Sequence, residues 1–167
     1  MHTPTPAPLE MGGKEYRTVK IGNQIWMAEN LALLTPGSWY YNDDAAQGEP
    51  FGRLYSWDAA MQACPEGWRL PTEEDWEQLI SHLGGENQAF HQLLEGGESG
   101  FDALFAGYRS LTGAFLSIER AADFWTGTPA GDANAWLRYL IFKKDKVHRI
   151  IDDKRCGFSV RYMRDAH

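Results

Sequence analysis

The chain has 167 residues, the length of one domain that can bury a core without disulfides or metals. Hydrophobic residues make up 43% of it and charged residues 23%, so the composition is that of a globular protein rather than a disordered one. No apolar run approaches the length of a membrane span. The net charge of −7 argues against a general nucleic-acid-binding protein, and the 17 glycines, 8 prolines and 7 tryptophans favour a loop-rich fold over a helical bundle.

The first residues differ in composition from the rest of the chain. Three prolines among the first eight residues predict a flexible, unpacked tail over residues 1–13, followed by a single domain over residues 14–167. The tail has neither the basic stretch nor the apolar stretch of a secretory signal. We therefore expect a location on a cell surface or a virion if the domain is displayed, and a cytoplasmic one otherwise.

A hairpin and a long loop open the predicted domain. Alternating residues predict a strand over residues 16–21 and a second strand over residues 24–28, joined by a turn at Gly22 and Asn23. Residues 32–52 are rich in proline, glycine, asparagine and aspartate and also contain several aromatic residues. We expect an aromatic-anchored loop there.

Helical periodicity appears first over residues 53–64. In this segment Leu54, Trp57, Met61 and Cys64 recur at intervals of three or four, which predicts one buried face. Pro65 ends the helix, because a residue before proline disfavours the helical conformation.

The clearest helix begins at residue 73. Thr72 is a suitable N-cap, and three acidic residues in the first turn suit the helix dipole. Two glycines at residues 84–85 end the helix, and a shorter helix is expected over residues 87–94. The predicted buried stripe consists of Trp76, Leu79, Ile80 and Leu83.

Short strands dominate the second half of the chain. Alternating segments between turn residues predict strands over residues 101–108, 113–118, 123–128, 135–142, 146–151 and 158–163. Helices come first and most strands come later. This order is typical of an α+β fold with antiparallel sheets rather than a doubly wound parallel sheet.

Positive charge is concentrated near the C-terminus. Residues 137–164 contain nine basic and three acidic residues, a net charge of +6, which leaves −13 for the rest of the chain. The segment has two interpretations: solvated strands without a role, or a basic face that meets an acidic partner. Under the second interpretation, nucleic acid is a weaker alternative for the acidic partner, and its binding would fall steeply with salt.

No motif for catalysis or for a metal site is present. Cys64 and Cys156 form no CxxC pair and no cysteine–histidine spacing typical of zinc. Asp43 and Asp44 are more typical of a turn than of a calcium site, which needs several converging oxygens. We therefore expect no catalytic residue, no metal and no cofactor.

Five blocks of the sequence resemble a known family, the Fibrobacter succinogenes major paralogous domain, over residues 14–165. RLPTEEDWE and the later GFSVR are also similar to the formylglycine-generating enzymes. Both resemblances imply the C-type-lectin fold, with two main helices, small antiparallel sheets, long loops and termini that lie together. The five blocks are GNQIWMAENL (22–31), FGRLYSWDAAMQACPEGWRLPTEEDW (51–76), ALFAGYRSLTGAF (103–115), DFWTGTPAGDANAW (123–136) and GFSVRYMRD (157–165).

The variable proteins of diversity-generating retroelements share this fold and end in a similar block. They keep a rigid scaffold and diversify exposed residues near the C-terminus. The resemblance therefore implies a non-catalytic display domain that binds a macromolecule, a protein in particular, through residues 137–155. Strand alternation would place alternate side chains on opposite sides, a framework side and an exposed side. The expected ligand-binding residues are Leu137, Tyr139, Ile141, Lys143, Lys144, Lys146, His148, Ile150, Ile151, Asp152, Asp153 and Arg155.

At residue 162 the chain departs from the family, which often has a cysteine there as the partner of the cysteine at the position of Cys64. Here that residue is Tyr162. Cys156 lies six residues earlier, roughly 20 Å along a strand, whereas a disulfide needs Cα atoms within about 7 Å. We expect no disulfide, with Cys64 buried and Cys156 partly exposed.

Two other functions stay open. A fixed bacterial surface module would bind polysaccharide or cell-wall material through residues that do not vary between copies. An oxidase of the formylglycine type would need a late cysteine pair to hold copper. This chain has one late cysteine, Cys156.

Overall fold

The computed structural model describes residues 4–166, and its elements belong to the α+β class that the sequence predicts, although half of the strands precede α3 rather than follow the helices. The helices are α1 (Gly48–Phe51), α2 (Trp57–Gln62), α3 (Glu73–His82) and α4 (Glu86–Leu93). The strands before α3 are β1 (Leu9–Met11), β2 (Lys14–Tyr16), β3 (Thr18–Ile21), β4 (Gln24–Met27), β5 (Ser38–Trp39) and β6 (Leu54–Tyr55). The strands after α4 are β7 (Ala106–Arg109), β8 (Phe115–Ile118), β9 (Ala121–Ala130), β10 (Asn134–Ile141), β11 (Val147–Asp153) and β12 (Met163–Asp165).

The packed part of the chain begins before residue 14. β1 and β2 form an antiparallel hairpin that pairs Leu9 with Tyr16, and both of these side chains are buried. The unpacked tail predicted over residues 1–13 is therefore wrong for residues 9–11, because Leu9 and Met11 pack against a core cluster. The first three residues of that tail lie outside the described residues.

The predicted N-terminal hairpin is confirmed as β3 and β4, which pair antiparallel. β12 pairs with the other edge of β4, so the sheet has the order β12–β4–β3. Beyond β12, the Ala166 amide donates to the carbonyl of Asn23 at 2.8 Å. The last strand therefore lies beside the first long hairpin of the chain.

The helix predicted over residues 53–64 is shorter than expected. Its first residues form β6, in which Tyr55 pairs with both Ser38 and Phe158. The helix α2 then begins at Trp57, and the Ser56 side chain accepts from the amide of Ala59. Met61 is 42% exposed, so its predicted place on the buried face is wrong. Pairing with distant strands outweighs the local helical spacing at the start of this segment.

The helix predicted from residue 73 is confirmed as α3. The Thr72 side chain accepts from the Asp75 amide at 3.1 Å, and the Asp75 carboxylate accepts from the Thr72 amide at 2.9 Å. This reciprocal capping box satisfies donors that a helix start leaves free. The predicted apolar stripe of α3 is buried. The shorter helix α4 begins at Glu86, one residue earlier than expected.

The central sheet has the order β11–β10–β9 and lies between two hydrophobic clusters. One cluster joins Phe124, Leu140 and Val147 of the sheet to α3 and α4. The other joins Trp125 and Leu137 to α2 and to residues 156–162. Of the strand predicted over residues 158–163, the structure has the isolated bridges of residues 158 and 159 and the first residue of β12. Within residues 4–166, no helix is long and apolar enough to cross a membrane.

Candidate functional site

The β10–β11 hairpin contains most of the residues that the sequence predicts to bind a ligand. β10 lies between β9 and β11, and β11 is an edge strand. The register pairs Leu137 with Ile150 and Tyr139 with His148. Directly paired residues of antiparallel strands share a face, so the predicted alternation of side chains between two faces is confirmed. The predicted division into a framework side and an exposed side is wrong, because Leu137 is buried on one face and Ile151 is exposed on the other. We call the two faces the Tyr139 face (Leu137, Tyr139, Ile141, His148, Ile150 and Asp152) and the Arg138 face (Trp136, Arg138, Leu140, Val147, Arg149 and Ile151).

The Arg138 face is fixed to the start of α3 by a buried charge cluster. The Arg138 side chain is 1% exposed and donates to both carboxylate oxygens of Glu73, at 3.1 and 3.0 Å. It also donates to Glu77 at 2.6 Å, and Arg149 donates to Glu73 at 3.1 Å. Glu73 lies in the first turn of the helix, where negative charge suits the dipole. The cluster makes this face part of the framework.

Many of the basic residues between residues 137 and 164 form ion pairs or hydrogen bonds with other groups of the same domain. Arg161 is buried, and the ammonium of Lys154 donates to a backbone carbonyl. Lys143 and Lys144 are exposed in the hairpin turn. This arrangement favours internally paired strands over a continuous basic face. Ion pairs with acids of the same chain hold Arg138, Lys146, Arg149 and Arg155.

The structure separates the predicted ligand-binding residues by exposure. Leu137 is 1% exposed, so its predicted exposure is wrong; it packs in the same cluster as Trp125 and Phe158. Ile151 and Asp153 lie on the strand face opposite Tyr139. The exposed residues are Lys143, Lys144, Lys146, Ile150, Ile151 and Arg155. The half-buried residues are Tyr139, Ile141, His148, Asp152 and Asp153.

Two aromatic side chains form a stacked pair on the Tyr139 face. The rings of Tyr139 and His148 stack with centroids 4.9 Å apart and an interplanar angle of 16°. Burial and then the charge of Lys146 lower the pKa of His148, so its ring is neutral at pH 7. Ile150 lies on the same face and is 49% exposed. Aromatic groups of this kind give large contact areas at low entropic cost.

A buried carboxyl group lies beside this aromatic pair, and sequence reasoning missed it. Asp123 of β9 pairs with Tyr139 and therefore lies on the Tyr139 face, yet it is 6% exposed. Within residues 4–166, its Oδ2 atom has no hydrogen-bond partner. Leaving such a group unsatisfied costs about 1–3 kcal/mol. Burial, followed by the charge of Asp152, raises the pKa of Asp123 to about 8. The sequence signal was an acid within an apolar strand, AADFW.

Three further polar groups surround Asp123. The thiol of Cys156 donates to Oδ1 of Asp152 at 3.6 Å. Burial raises the pKa of Tyr108, and the charges of Asp123, Asp152 and Cys156 raise it further. Asp123, Asp152 and Cys156 thus all lie within electrostatic range of Tyr108. Neither Asp123 nor Asp152 forms an ion pair with any residue that the structure describes.

Both cysteines are free, as expected, but their predicted exposures are wrong. Cys156 is buried because residues 156–162 pack against the central sheet, and Cys64 is half-buried. Burial raises the pKa of the Cys64 thiol to about 11 and that of Cys156 to about 12. Thiols that stay protonated at neutral pH are poor nucleophiles. At the position of the cysteine discussed above, the Tyr162 hydroxyl donates to the carbonyl of Ala60 at 2.5 Å.

The described surface away from the hairpin contains a cleft but no grouping of metal ligands. No group of three or more metal-ligating side chains within residues 4–166 is placed to hold an ion. Asp43 and Asp44 are exposed, and Asp44 accepts from the amide of Ala46, as a turn residue does. The cleft has a volume of about 650 Å³ and lies beside α1. Its lining includes Lys14, Arg17, Glu29, Tyr40, Phe51 and Asp102.

Comparison with known proteins identifies the family of the chain. Residues 19–164 match the Fibrobacter succinogenes major domain, and the chain belongs to this family. The match runs from β3 to β12, so the central sheet and the cluster with α3 and α4 lie within the family domain, whereas Leu9 and Tyr16 of the other cluster precede it. The family predicted from the sequence blocks is therefore confirmed. No curated protein and no solved structure matches the chain.

Proposed function

We propose that this chain is a non-catalytic binding domain with the C-type-lectin fold, and that it acts as the variable protein of a diversity-generating retroelement. Its ligand would be a protein, held by exposed residues of the β10–β11 hairpin. The observation that carries the proposal is the separation of anchored and exposed residues within one hairpin. Arg138, Leu140 and Val147 are buried, whereas Ile150 and the turn lysines are exposed.

Several features of the fold support the C-type-lectin assignment. α3 is the longest helix among the described elements, several small antiparallel sheets follow one another, and long loops connect them. The C-terminal strand β12 lies beside the N-terminal hairpin. A scaffold of this kind positions variable side chains without depending on them for its core.

Recognition would depend on the contact area of exposed side chains and would involve no covalent step. Tyr139 and His148 present a rigid aromatic pair, and Ile150 adds exposed apolar surface next to it. Tyrosine is among the residues that contribute most to binding at protein interfaces. The high pKa values of both thiols suit a surface without a cysteine nucleophile.

The decisive experiment is to sequence the DNA that flanks the gene. We expect a reverse-transcriptase gene and a near-copy of the codons for residues 130–161 that differs from the gene at adenines. The differing codons should fall at Tyr139, Ile141, His148 and Ile150. They should spare Leu137, Arg138, Leu140 and Val147, which serve as internal controls because they are buried. Absence of a copy, or variation concentrated at the buried positions, would contradict the proposal.

The polar cleft beside α1 favours a second candidate, a fixed module that binds polysaccharide. Ion pairs join Lys14 to Glu29 at 3.6 Å and Arg17 to Asp102 at 3.7 Å across its lining. Charged groups and a tyrosine ring in one cleft suit sugar hydroxyls and the apolar faces of sugar rings. Binding to an array of bacterial polysaccharides, lost in Glu29→Gln and kept in Tyr139→Ala, would favour this candidate over the hairpin.

A further inference from the structure

The surroundings of Asp123 define the kind of ligand group that the hairpin accepts, and this inference rests on the proposed binding surface. We propose that the Tyr139 face binds a cationic side chain of the partner protein, the ammonium of a lysine or the guanidinium of an arginine, between Asp123 and Asp152. This chemistry is opposite in sign to the acidic partner that the basic segment predicts.

The unpartnered carboxyl is the first argument. Buried polar atoms without a hydrogen-bond partner are rare in folded proteins, and each one calls for an explanation. Oδ2 of Asp123 has no donor among residues 4–166, and Asp152 has no ion-pair partner there. A bound ammonium or guanidinium would supply the missing N–H donors. Its positive charge would also favour the ionised form of Asp123, which burial and the charge of Asp152 otherwise oppose.

The groups around the two carboxyls suit the apolar stem of a lysine or arginine. Tyr139 and Tyr108 are half-buried near Asp123, so both aromatic residues are partly open to solvent. A cation over such a ring gains further attraction. Ile150 is 49% exposed on the same face, and Leu111, whose backbone amide faces the Cys156 sulfur, is 48% exposed. A long side chain could bury its methylene groups there and place its charge at the carboxyls.

Cation binding should release a proton. The pKa of Asp123 is raised to about 8, so most of this carboxyl is protonated at pH 6, whereas the cation binds its ionised form. The other titratable groups on this face near Asp123 are Asp152, Tyr108, Tyr139, His148 and Cys156. Tyr108 and Cys156 stay protonated through this range because their pKa values are raised. The pKa of His148 is lowered by burial and the charge of Lys146, so any positive charge it has at pH 6 is lost toward pH 8, which acts in the same direction. Affinity for a cation should therefore increase from pH 6 to pH 8, by up to about tenfold per pH unit.

The test is an NMR titration of the full chain with n-butylguanidinium, an analogue of the arginine side chain, at pH 6 and pH 8. The neutral control probe is n-butyramide. We expect saturable shifts at Asp123, Tyr139 and Asp152, with affinity for the cation at least tenfold above that for the amide and higher at pH 8. In Asp123→Asn the cation should bind at least tenfold more weakly. Glu74→Gln, which changes an exposed acid in α3, should bind like the wild type.

Equal affinity for the two probes, or unchanged affinity in Asp123→Asn, would overturn the cation site. A second readout needs no variant: the probe should lower the pKa of Asp123 measured from its carboxyl carbon shift, and an unaltered pKa would also overturn the site. This result is separable from the sequencing experiment. A template copy without probe binding would remove the cation site alone, and probe binding without a template copy would remove the retroelement role alone.

Discussion

At the scale of single residues, the raised pKa of Asp123 makes the free energy of unfolding depend on pH. Its pKa is about 8 in the folded protein, whereas an aspartate in an unfolded chain has a pKa of about 3.9. Between these values the folded state holds a proton that the unfolded state has lost. The free energy of unfolding therefore falls as the pH rises from about 4 to about 8.

Asp123→Asn should remove this pH dependence, because an amide does not titrate. We expect its free energy of unfolding, relative to that of the wild type, to be at least about 1 kcal/mol higher at pH 8 than at pH 5. Urea unfolding at both pH values measures the difference. Glu74→Gln provides the control, with the same relative stability at both pH values. An equal effect of Asp123→Asn at pH 5 and pH 8 would show that Asp123 is ionised in the folded protein.

Arg161 is also a buried ionisable residue, but unlike Asp123 its side chain has several hydrogen-bond partners within the domain. It donates to Asn30 Oδ1 and to the Asp102 carbonyl, each at 2.8 Å, and also to the carbonyl of Phe101. Arg161→Met would leave these acceptors buried without a donor, and we expect a loss of about 3–5 kcal/mol in the free energy of unfolding. Arg155→Met, at an exposed arginine, should leave the urea midpoint unchanged. A similar midpoint for both variants would contradict this role.

At the scale of elements, the attachment of β10 to α3 depends on Glu73. This carboxylate accepts from Arg138 and Arg149 while it lies in the first turn of the helix. Glu73→Gln would leave the buried guanidinium of Arg138 with the carboxylate of the exposed Glu77 as its remaining countercharge. We expect the free energy of unfolding to fall by about 2–4 kcal/mol. In the matched variant Glu74→Gln, one residue along the same turn, it should change by less than about 0.5 kcal/mol. Equal urea midpoints for the two variants would contradict the framework role of the cluster.

The elements that the sequence predicts well are those defined by neighbours in the chain. α3 follows from the Thr72 cap and its apolar stripe, and the two faces of the hairpin follow from strand alternation. Distant contacts set the rest. Leu137 is buried because residues 156–162 pack against the sheet beneath it. β6 replaces the start of a predicted helix because Tyr55 pairs with Phe158. Tertiary packing leaves Oδ2 of Asp123 without a hydrogen-bond partner among residues 4–166, and the sequence alone does not distinguish this acid from a paired one.

At the scale of the whole molecule, the central sheet lies between two hydrophobic clusters. Its strands contribute Leu140 and Val147 to the cluster with α3 and α4, and Leu137 to the cluster with residues 156–162. β11 stays at the edge with Ile150 and Ile151 exposed. Side chains of β10, the strand next to β9, are thus packed into both clusters. The turn of the hairpin and the C-terminal part of β11 contribute little to either cluster. This arrangement predicts that exposed positions of the hairpin tolerate substitution far better than its buried positions do.

A variant that combines Ile141→Thr, Lys143→Asn, Lys144→Ser and Ile150→Thr should fold, with a free energy of unfolding within about 1–2 kcal/mol of the wild type. Threonine keeps the β-branched shape that strands favour, and asparagine tolerates the positive φ of 65° at residue 143. The single change Leu137→Ser should cost more, about 2–4 kcal/mol, because it removes buried apolar volume and buries a hydroxyl. Thermal and urea unfolding compare the two proteins directly. If the fourfold variant were the less stable one, the hairpin edge would belong to the core, and a scaffold that tolerates variation there would have to be abandoned.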